Sequence, residues 1–319
     1  MSPTNLIPIV LSLLLSPLVG QSVVAENGLL RVKGSRIVNR EGTAVSLAGN
    51  SFFWSQWDHS GFWNPKCVAW LVDDWNSAII RAPMGVEEPG GYLEKPEENE
   101  RKLRTLVQAA VNEGVYVIID WHSHYAEKST AEAVEFFERM ARSYGGLDHV
   151  IYEIYNEPKK TEWSEIKEYA ETVIAAIRRI DPDKLIVVGT GEWSQEVDEP
   201  AADPITQWPN IAYTLHFYSD KHGQSLRDRA DAALAQGIAL FVTEWGPVGK
   251  RGKDPETEKW MAWCRKNKIS HCVWSVNDKD EPYSIVRKGA DPEGGWKPGD
   301  LRPAGELERS IISTWNENQ

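Results

Sequence analysis

Eight short apolar runs recur along this 319-residue chain, each followed by a polar or helix-like stretch, and that alternation leaves few architectures open. The runs are AVSLAGNSF (44–52), SAIIRAPM (77–84), VYVIIDWH (115–122), VIYEIYNE (150–157), LIVVGTGE (185–192), IAYTLHFY (211–218), ALFVTEW (239–245) and HCVWSVND (271–278). Near-continuous Val, Ile and Leu runs suit strands buried on both faces, which belong to parallel sheets covered by helices. The intervening stretches supply those helices. From Pro96 to Glu113, Leu103, Leu106, Val107, Ala110 and Val111 make one stripe, opened by Pro96 and acidic residues and closed by Gly114. Ile166, Tyr169, Ala170, Val173, Ile174, Ile177 and Ile180 make another, which Asp181-Pro182 ends because the residue before a proline is pushed out of the helical region. Eight such repeats predict an α/β fold, a (β/α)8 TIM barrel rather than an open sheet.

Two departures from the repeat are expected. The connection from Trp193 to Asn210 holds three prolines and little helical period, so it should be mostly loop. Ahead of the first strand, LLRVKGSRIVNREG (29–42) alternates around Lys33-Gly34-Ser35 and reads as a short N-terminal β-hairpin that closes the barrel floor. Residues 1–25 read as a signal peptide: Leu6 to Val19 is largely apolar, no acid precedes Glu26, and Val23-Val24-Ala25 offers a small-residue cleavage site. That run is too short to span a bilayer, so the expectation is a secreted domain of residues 26–319 with no membrane association after processing. No Ser/Thr/Pro-rich linker marks a second domain.

Strand exits in a parallel barrel open onto one face, and there the chain places a polar and aromatic set. In order these are Asn50 and Trp54, Arg81, His122 and His124, Asn156 and Glu157, Glu192, His216 and Tyr218, Glu244, then Trp274 and Asp278. Glycoside hydrolysis needs one protonated carboxyl to assist the leaving oxygen and one ionised carboxylate facing the anomeric carbon. Glu157 and Glu244 are the candidates. A carboxylate beside Arg81 stays ionised, and a second carboxyl facing that charge has its pKa raised, which makes Glu244 the nucleophile and Glu157 the acid/base. Fifteen tryptophans among 319 residues fit a core, and they also fit platforms for the C–H faces of pyranose rings. A net charge of −12 argues against nucleic acid or an anionic membrane as partner. His122-Ser123-His124 admits a metal reading with Asp120, His216 or Asp278, but neutral histidines equally orient carboxylates, and no metal ligand is assigned. Cys264 and Cys272 either pair or join Cys67 as small buried hydrophobes.

With these residues in view, IIRAPMGV, VIIDWHSH, IYEIYNEP, YTLHFY and FVTEWG together resemble glycoside hydrolase family 5, in particular its secreted bacterial endo-β-1,4-glucanases, from about Leu29 to Asp278. The resemblance implies retention of anomeric configuration, no metal or organic cofactor, and a β-glucan polysaccharide as partner. It makes Glu157 the acid/base and Glu244 the nucleophile, with Asn156 on the sugar 2-hydroxyl. It also has Arg81 and Tyr218 hold the nucleophile, His122 and His216 line the cleavage subsite, and Trp274 form its floor. Some relatives carry a histidine near strand 1 where this chain reads Phe52-Phe53-Trp54; Trp54 and Trp57 are either platforms there or core residues. Past Asp278 the likeness fades, and Lys279 to Gly299 is expected as a variable cleft loop. A monomer is expected. Mannan, mixed-linkage glucan and xyloglucan remain alternative polymers, and a non-catalytic carbohydrate-binding protein is the competing class.

Overall fold

A computed structural model describes residues 22–247 and 255–316, and the element bounds below refer to these. Strands β1 (Arg31–Lys33) and β2 (Arg36–Val38) form an antiparallel hairpin. The barrel follows: β3 (Ala48–Phe52), β4 (Ile79–Gly85), β5 (Tyr116–His122), β6 (Val150–Glu153), β7 (Ile186–Val188), β8 (Ile211–Tyr218), β9 (Ala239–Gly246) and β10 (His271–Val276). Each runs parallel to the next, and β10 returns to β3 with His271 opposite Ala48, which closes the ring. Every predicted run becomes one barrel strand, most of them trimmed to the residues that pair and two, β4 and β9, extended by one glycine. The run VIYEIYNE pairs only over Val150–Glu153, which leaves Asn156 and Glu157 beyond the strand end and free to face the mouth.

The helix Pro96–Glu113 buries Leu103, Leu106, Val107 and Ala110 of its predicted stripe, and Gly114 ends it in the left-handed conformation. The helix Trp163–Arg178 does the same with Ile166, Tyr169, Val173, Ile174 and Ile177. After β7 only the short pieces Gly191–Ser194 and Asp198–Ala202 are helical, as the prolines imply.

Side-chain alternation along the strands builds the barrel interior in layers. Ile79 and Arg81 share a face of β4, Ile118, Asp120 and His122 one of β5, and Ile151 and Glu153 one of β6. The three isoleucines join Val187 and Phe241 in an apolar floor, and Leu30 and Ile37 of the hairpin seal it from below. Val32 N–H ties the hairpin to Asn210 Oδ1 at 3.0 Å. Above the floor lie Arg81, Asp120 and Glu153, all fully buried, and above them the groups at the mouth. At Gly49 the β3 and β4 backbones come so close that a Cβ would stand 1.8 Å from the Ile79 carbonyl oxygen, which leaves hydrogen as the one side chain that fits.

Most of the predicted signal segment lies outside the described residues, but Ser22–Ala25 are part of the folded body. Val24 is 4% exposed, and its N–H donates to Gly114 O at 3.1 Å. Ser22 Oγ caps the helix Val23–Asn27, and Arg40 Nη2 donates to Ala25 O at 2.8 Å. A chain that begins at Glu26 should therefore melt a few degrees below one that begins at Ser22, since exposing a buried valine costs about 1.5–3 kcal/mol. Equal midpoints in paired thermal scans would show that these contacts contribute nothing.

Cys67, Cys264 and Cys272 are all free and buried, so the Cys264–Cys272 pairing left open by the sequence is not formed. The segment after Asp278 is partly core rather than a free cleft loop. Ile285 and Val286 are buried, and Trp296 packs on Phe62 and Trp75 at ring distances of 6.2 and 6.1 Å.

Candidate active site

Arg81 ties the charged layer to the mouth. Its Nε and Nη2 donate to the two oxygens of Glu153 at 2.7 and 3.2 Å, Nη2 also reaches Asp120 Oδ2 at 2.9 Å, and Nη1 donates to Glu244 Oε2 at 3.0 Å. A fixed guanidinium suits such a role because its donors form a rigid fork. The other Glu244 oxygen accepts from Tyr218 Oη at 2.5 Å, so both are held. Glu157 stands on the loop after β6, its N–H bonded to Ser123 O at 3.2 Å. Its Oε1 faces His216 Nδ1 at 2.9 Å, and its Oε2 lies 3.5 Å from His124 Nε2. One oxygen of Glu157, one of Glu244 and one nitrogen of His216 lie within 4.8 Å of each other.

Asn156 Oδ1 accepts from Arg81 Nη2 at 2.7 Å, while its Nδ2 is buried with no partner among the described residues, a donor left unused beside Glu157. The aromatic floor is continuous. The His122 and Trp274 rings stack with centroids 5.3 Å apart at 4°, and Trp54 meets His122 edge-on at 4.1 Å. Phe53 packs on Trp274 at 5.6 Å. Thus all nine sequence-predicted site residues, from Trp54 round to Trp274, come together at one barrel mouth. Asn50, Glu192 and Asp278 do not meet the two carboxylates: Asn50 Oδ1 accepts from Ser77 Oγ at 2.6 Å, the Glu192 charge faces Glu196, and Asp278, on the Phe53 side, accepts from Ser60 Oγ at 2.6 Å. His122 and His124 do not converge as a ligand pair either, since their nitrogens face Asp120 and Glu157 respectively.

Burial acts on every ionisable group here, and its neighbours decide the outcome. Burial pushes the Asp120 carboxyl up to about 7 against the pull of Arg81. Burial, then Arg81, drives His122 down to about 3, so this imidazole is neutral and its Nδ1–H serves Asp120. The Tyr218 hydroxyl is raised well above its ordinary value by burial and by Glu244, which keeps it a proton donor to that carboxylate. Glu157 departs from expectation. Burial pushes its carboxyl up, but hydrogen bonds from His124 and His216 outweigh this and hold it below the usual range. The facing Glu244 charge alone would raise this carboxyl; the two imidazoles reverse the sign.

The family model for cellulase (glycosyl hydrolase family 5) matches residues 38–280. The chain belongs to glycosyl hydrolase family 5. Among curated relatives of this family 5 barrel, Endoglucanase Z of Dickeya dadantii (strain 3937) is 49% identical over 293 residues, 90% of this chain and 66% of that protein. An endoglucanase of Clostridium saccharobutylicum is 40% identical over 91% of this chain and 66% of its own length. The chain thus spans just under two thirds of these relatives. A solved structure from Cytophaga hutchinsonii superposes with a TM-score of 0.90 at 47% identity, covering 93% of this chain and 98% of that one. The catalytic domain of a Thermobifida fusca endoglucanase in complex with cellotetraose gives 0.86 at 29% identity, covering 91% and 99%.

Within this family 5 site, Glu157, His216, Tyr218 and Glu244 line a cavity of about 410 Å³ walled by Trp193 and Gln195. Across Trp193 lies a second of about 530 Å³ with Tyr125, Lys128 and Lys159, and on the Phe53 side a third of about 560 Å³ with Trp57 and Asp278. Three participants escaped the sequence reading. Glu153 was visible only as a charge inside an apolar strand, Thr243 as the neighbour of Glu244, and His124 was left unassigned. A charged residue at a strand position that should be buried is the signal that had been available for Glu153.

Proposed function

We propose that this chain is an endo-acting β-1,4-glucanase that hydrolyses cellulose-type glucans by double displacement with retention. The carrying observation is the approach of Glu157 and Glu244, with carboxylate oxygens inside 4.8 Å. Retaining enzymes hold their two carboxyl groups about 5–5.5 Å apart, whereas inverting ones leave about 6.5–9.5 Å for a water. Names of relatives such as Endoglucanase Z support the same substrate class.

In this reading Glu244 attacks the anomeric carbon. Its two oxygens are oriented by Arg81 and Tyr218, so the nucleophile is pre-placed and needs no reorganisation. Glu157 protonates the leaving oxygen and then deprotonates the water that releases the glycosyl-enzyme. Asn156 Nδ2 donates to the 2-hydroxyl, a bond that strengthens in the transition state. Trp274, stacked with His122 and edged by Trp54, carries the sugar face at the cleavage point. His216 holds Glu157. Space beyond the carboxylates on both the Trp193 and the Phe53 sides suits an internal stretch of polymer, as endo action requires. Action as a monomer belongs to the same reading. The apolar segment before Ser22 supports export.

Reducing-sugar release from carboxymethylcellulose, glucomannan, barley β-glucan and xylan tests the polymer. Proton NMR of the first product should show the β-anomer. An initial α-anomer, or xylan or glucomannan hydrolysed in preference to the cellulose derivative, overturns the corresponding part of the proposal.

A further inference from the structure

A chain of short hydrogen bonds runs behind the catalytic carboxylates. Arg81 donates to both oxygens of Glu153, Thr243 Oγ1 donates to Glu153 Oε1 at 2.6 Å, His216 Nε2 lies 2.9 Å from Thr243 Oγ1, and His216 Nδ1 lies 2.9 Å from Glu157 Oε1. Glu153, Thr243 and His216 are at most 1% exposed, so water does not substitute for the links among them, while Glu157 at the end of the chain lines the cavity. Counting protons along this chain decides what the last link contains.

A threonine hydroxyl has one proton to give and lone pairs to accept with. Both Glu153 oxygens accept from the Arg81 guanidinium, which favours the carboxylate against the upward push of burial, and the Thr243 hydroxyl donates to Oε1. Thr243 therefore shows His216 a lone pair, and His216 must bring its own proton on Nε2. A neutral imidazole protonated there has a bare Nδ1. The 2.9 Å contact to Glu157 then needs a proton between the two, written either as a carboxylic acid donating to Nδ1 or as an imidazolium donating to a carboxylate.

We propose that Thr243 is a positioning residue: by spending its proton on Glu153 it fixes His216 as the Nε2–H tautomer and stores one transferable proton between His216 Nδ1 and Glu157 Oε1. That proton is the one the leaving oxygen takes. Its release leaves the Glu157 carboxylate, which removes a proton from the incoming water and refills the pair. The catalytic use rests on the role of Glu157 given above; the tautomer does not.

Other charged groups face the pair. His124 approaches Glu157 Oε2 from the loop after β5, Tyr218 and Glu244 stand across the cavity with Lys221 and His222, and Arg81, Asp120 and His122 lie behind. Among the described residues none but Glu157 and Thr243 hydrogen-bonds His216. The His216 contact is one of the two imidazole hydrogen bonds that hold the Glu157 carboxyl below its usual range.

The experiment compares wild type with Thr243→Val, which keeps shape and removes the hydroxyl, and Thr243→Ser, which restores it. Nitrogen-15 NMR of labelled histidine should show His216 protonated at Nε2 in wild type and in Thr243→Ser. In Thr243→Val the ring is free to carry its proton on Nδ1 and donate to an ionised Glu157. The deprotonated pair is thereby stabilised, so the basic limb of kcat/KM moves to lower pH by about one unit, the worth of one hydrogen bond. At neutral pH kcat on a cello-oligosaccharide should fall about tenfold with KM nearly unchanged, an activated aryl cellobioside losing least, because poor leaving groups depend most on the acid. A folded Thr243→Val enzyme with His216 still protonated at Nε2 and an unmoved basic limb overturns the proposal. So does Thr243→Ser behaving like the valine variant. If wild type hydrolysed no glucan, the NMR arm would still decide the tautomer while the proposed function alone fell.

Discussion

Glu244→Ala should lower kcat on a β-1,4-glucan by about 10⁴-fold or more while the chain stays folded, because loss of a nucleophile in a concerted site removes the covalent route altogether. Activity should return in a diagnostic form. Azide occupies the space the carboxylate leaves, attacks from that face and yields an α-glycosyl azide. In Glu157→Ala the glycosyl-enzyme still forms from substrates with activated leaving groups, and azide then attacks the opposite face and yields the β-product. Product anomers read by NMR assign the two roles independently of rate. Reversed anomers would exchange the labels of Glu157 and Glu244. The prediction has structural support in the placement of Arg81 and Tyr218, each bonded to a separate Glu244 oxygen, which fixes the orientation of that carboxylate.

The largest stability effect should follow Arg81→Met. Arg81 is fully buried among Asp120, Glu153 and Glu244, and those charges keep its guanidinium protonated against burial. Removing one partner of a buried ion network costs about 3–5 kcal/mol, a large share of a net stability of about 5–15 kcal/mol. The loss should depend on pH with a definite sign. Asp120 already titrates near 7, and Glu153 is raised by burial against the pull of Arg81. Without the cation both rise further, so the native state binds protons that the unfolded chain releases. Stability of the variant should therefore increase as pH falls from 8 toward the ordinary carboxylate range near 4. Urea melts at pH 5 and pH 8 measure this. Equal stability at both, or a variant as stable as wild type at pH 8, would mean the three carboxylates are tolerated without their cation.

Local pattern carried the architecture. Each barrel strand falls on one apolar run to within a residue, and Glu157, Glu244, Arg81 and His216 were legible because a polar group at the end of such a run has to face the mouth. Partnerships across the barrel were not legible. Nothing in VIYE indicates that Glu153 meets Arg81, and nothing in VTEW indicates that Thr243 spans Glu153 and His216, since these contacts join residues on different strands. The same gap explains Glu157. Its proton affinity was judged from one facing carboxylate, whereas His216, 59 positions away, and His124 on the neighbouring loop set it. At the N-terminus, the burial of Val24 beneath the barrel was not legible either, since burial of that kind leaves no mark in a local motif.

The three buried thiols carry a consequence for handling the molecule. Burial raises each of them above its ordinary value, so at neutral pH none is present as the reactive thiolate. With no cross-link to form, the native state asks nothing of the redox potential of its surroundings. The same barrel is attainable in a reducing cytoplasm and in an oxidising medium, without shuffling partners on the way from one to the other.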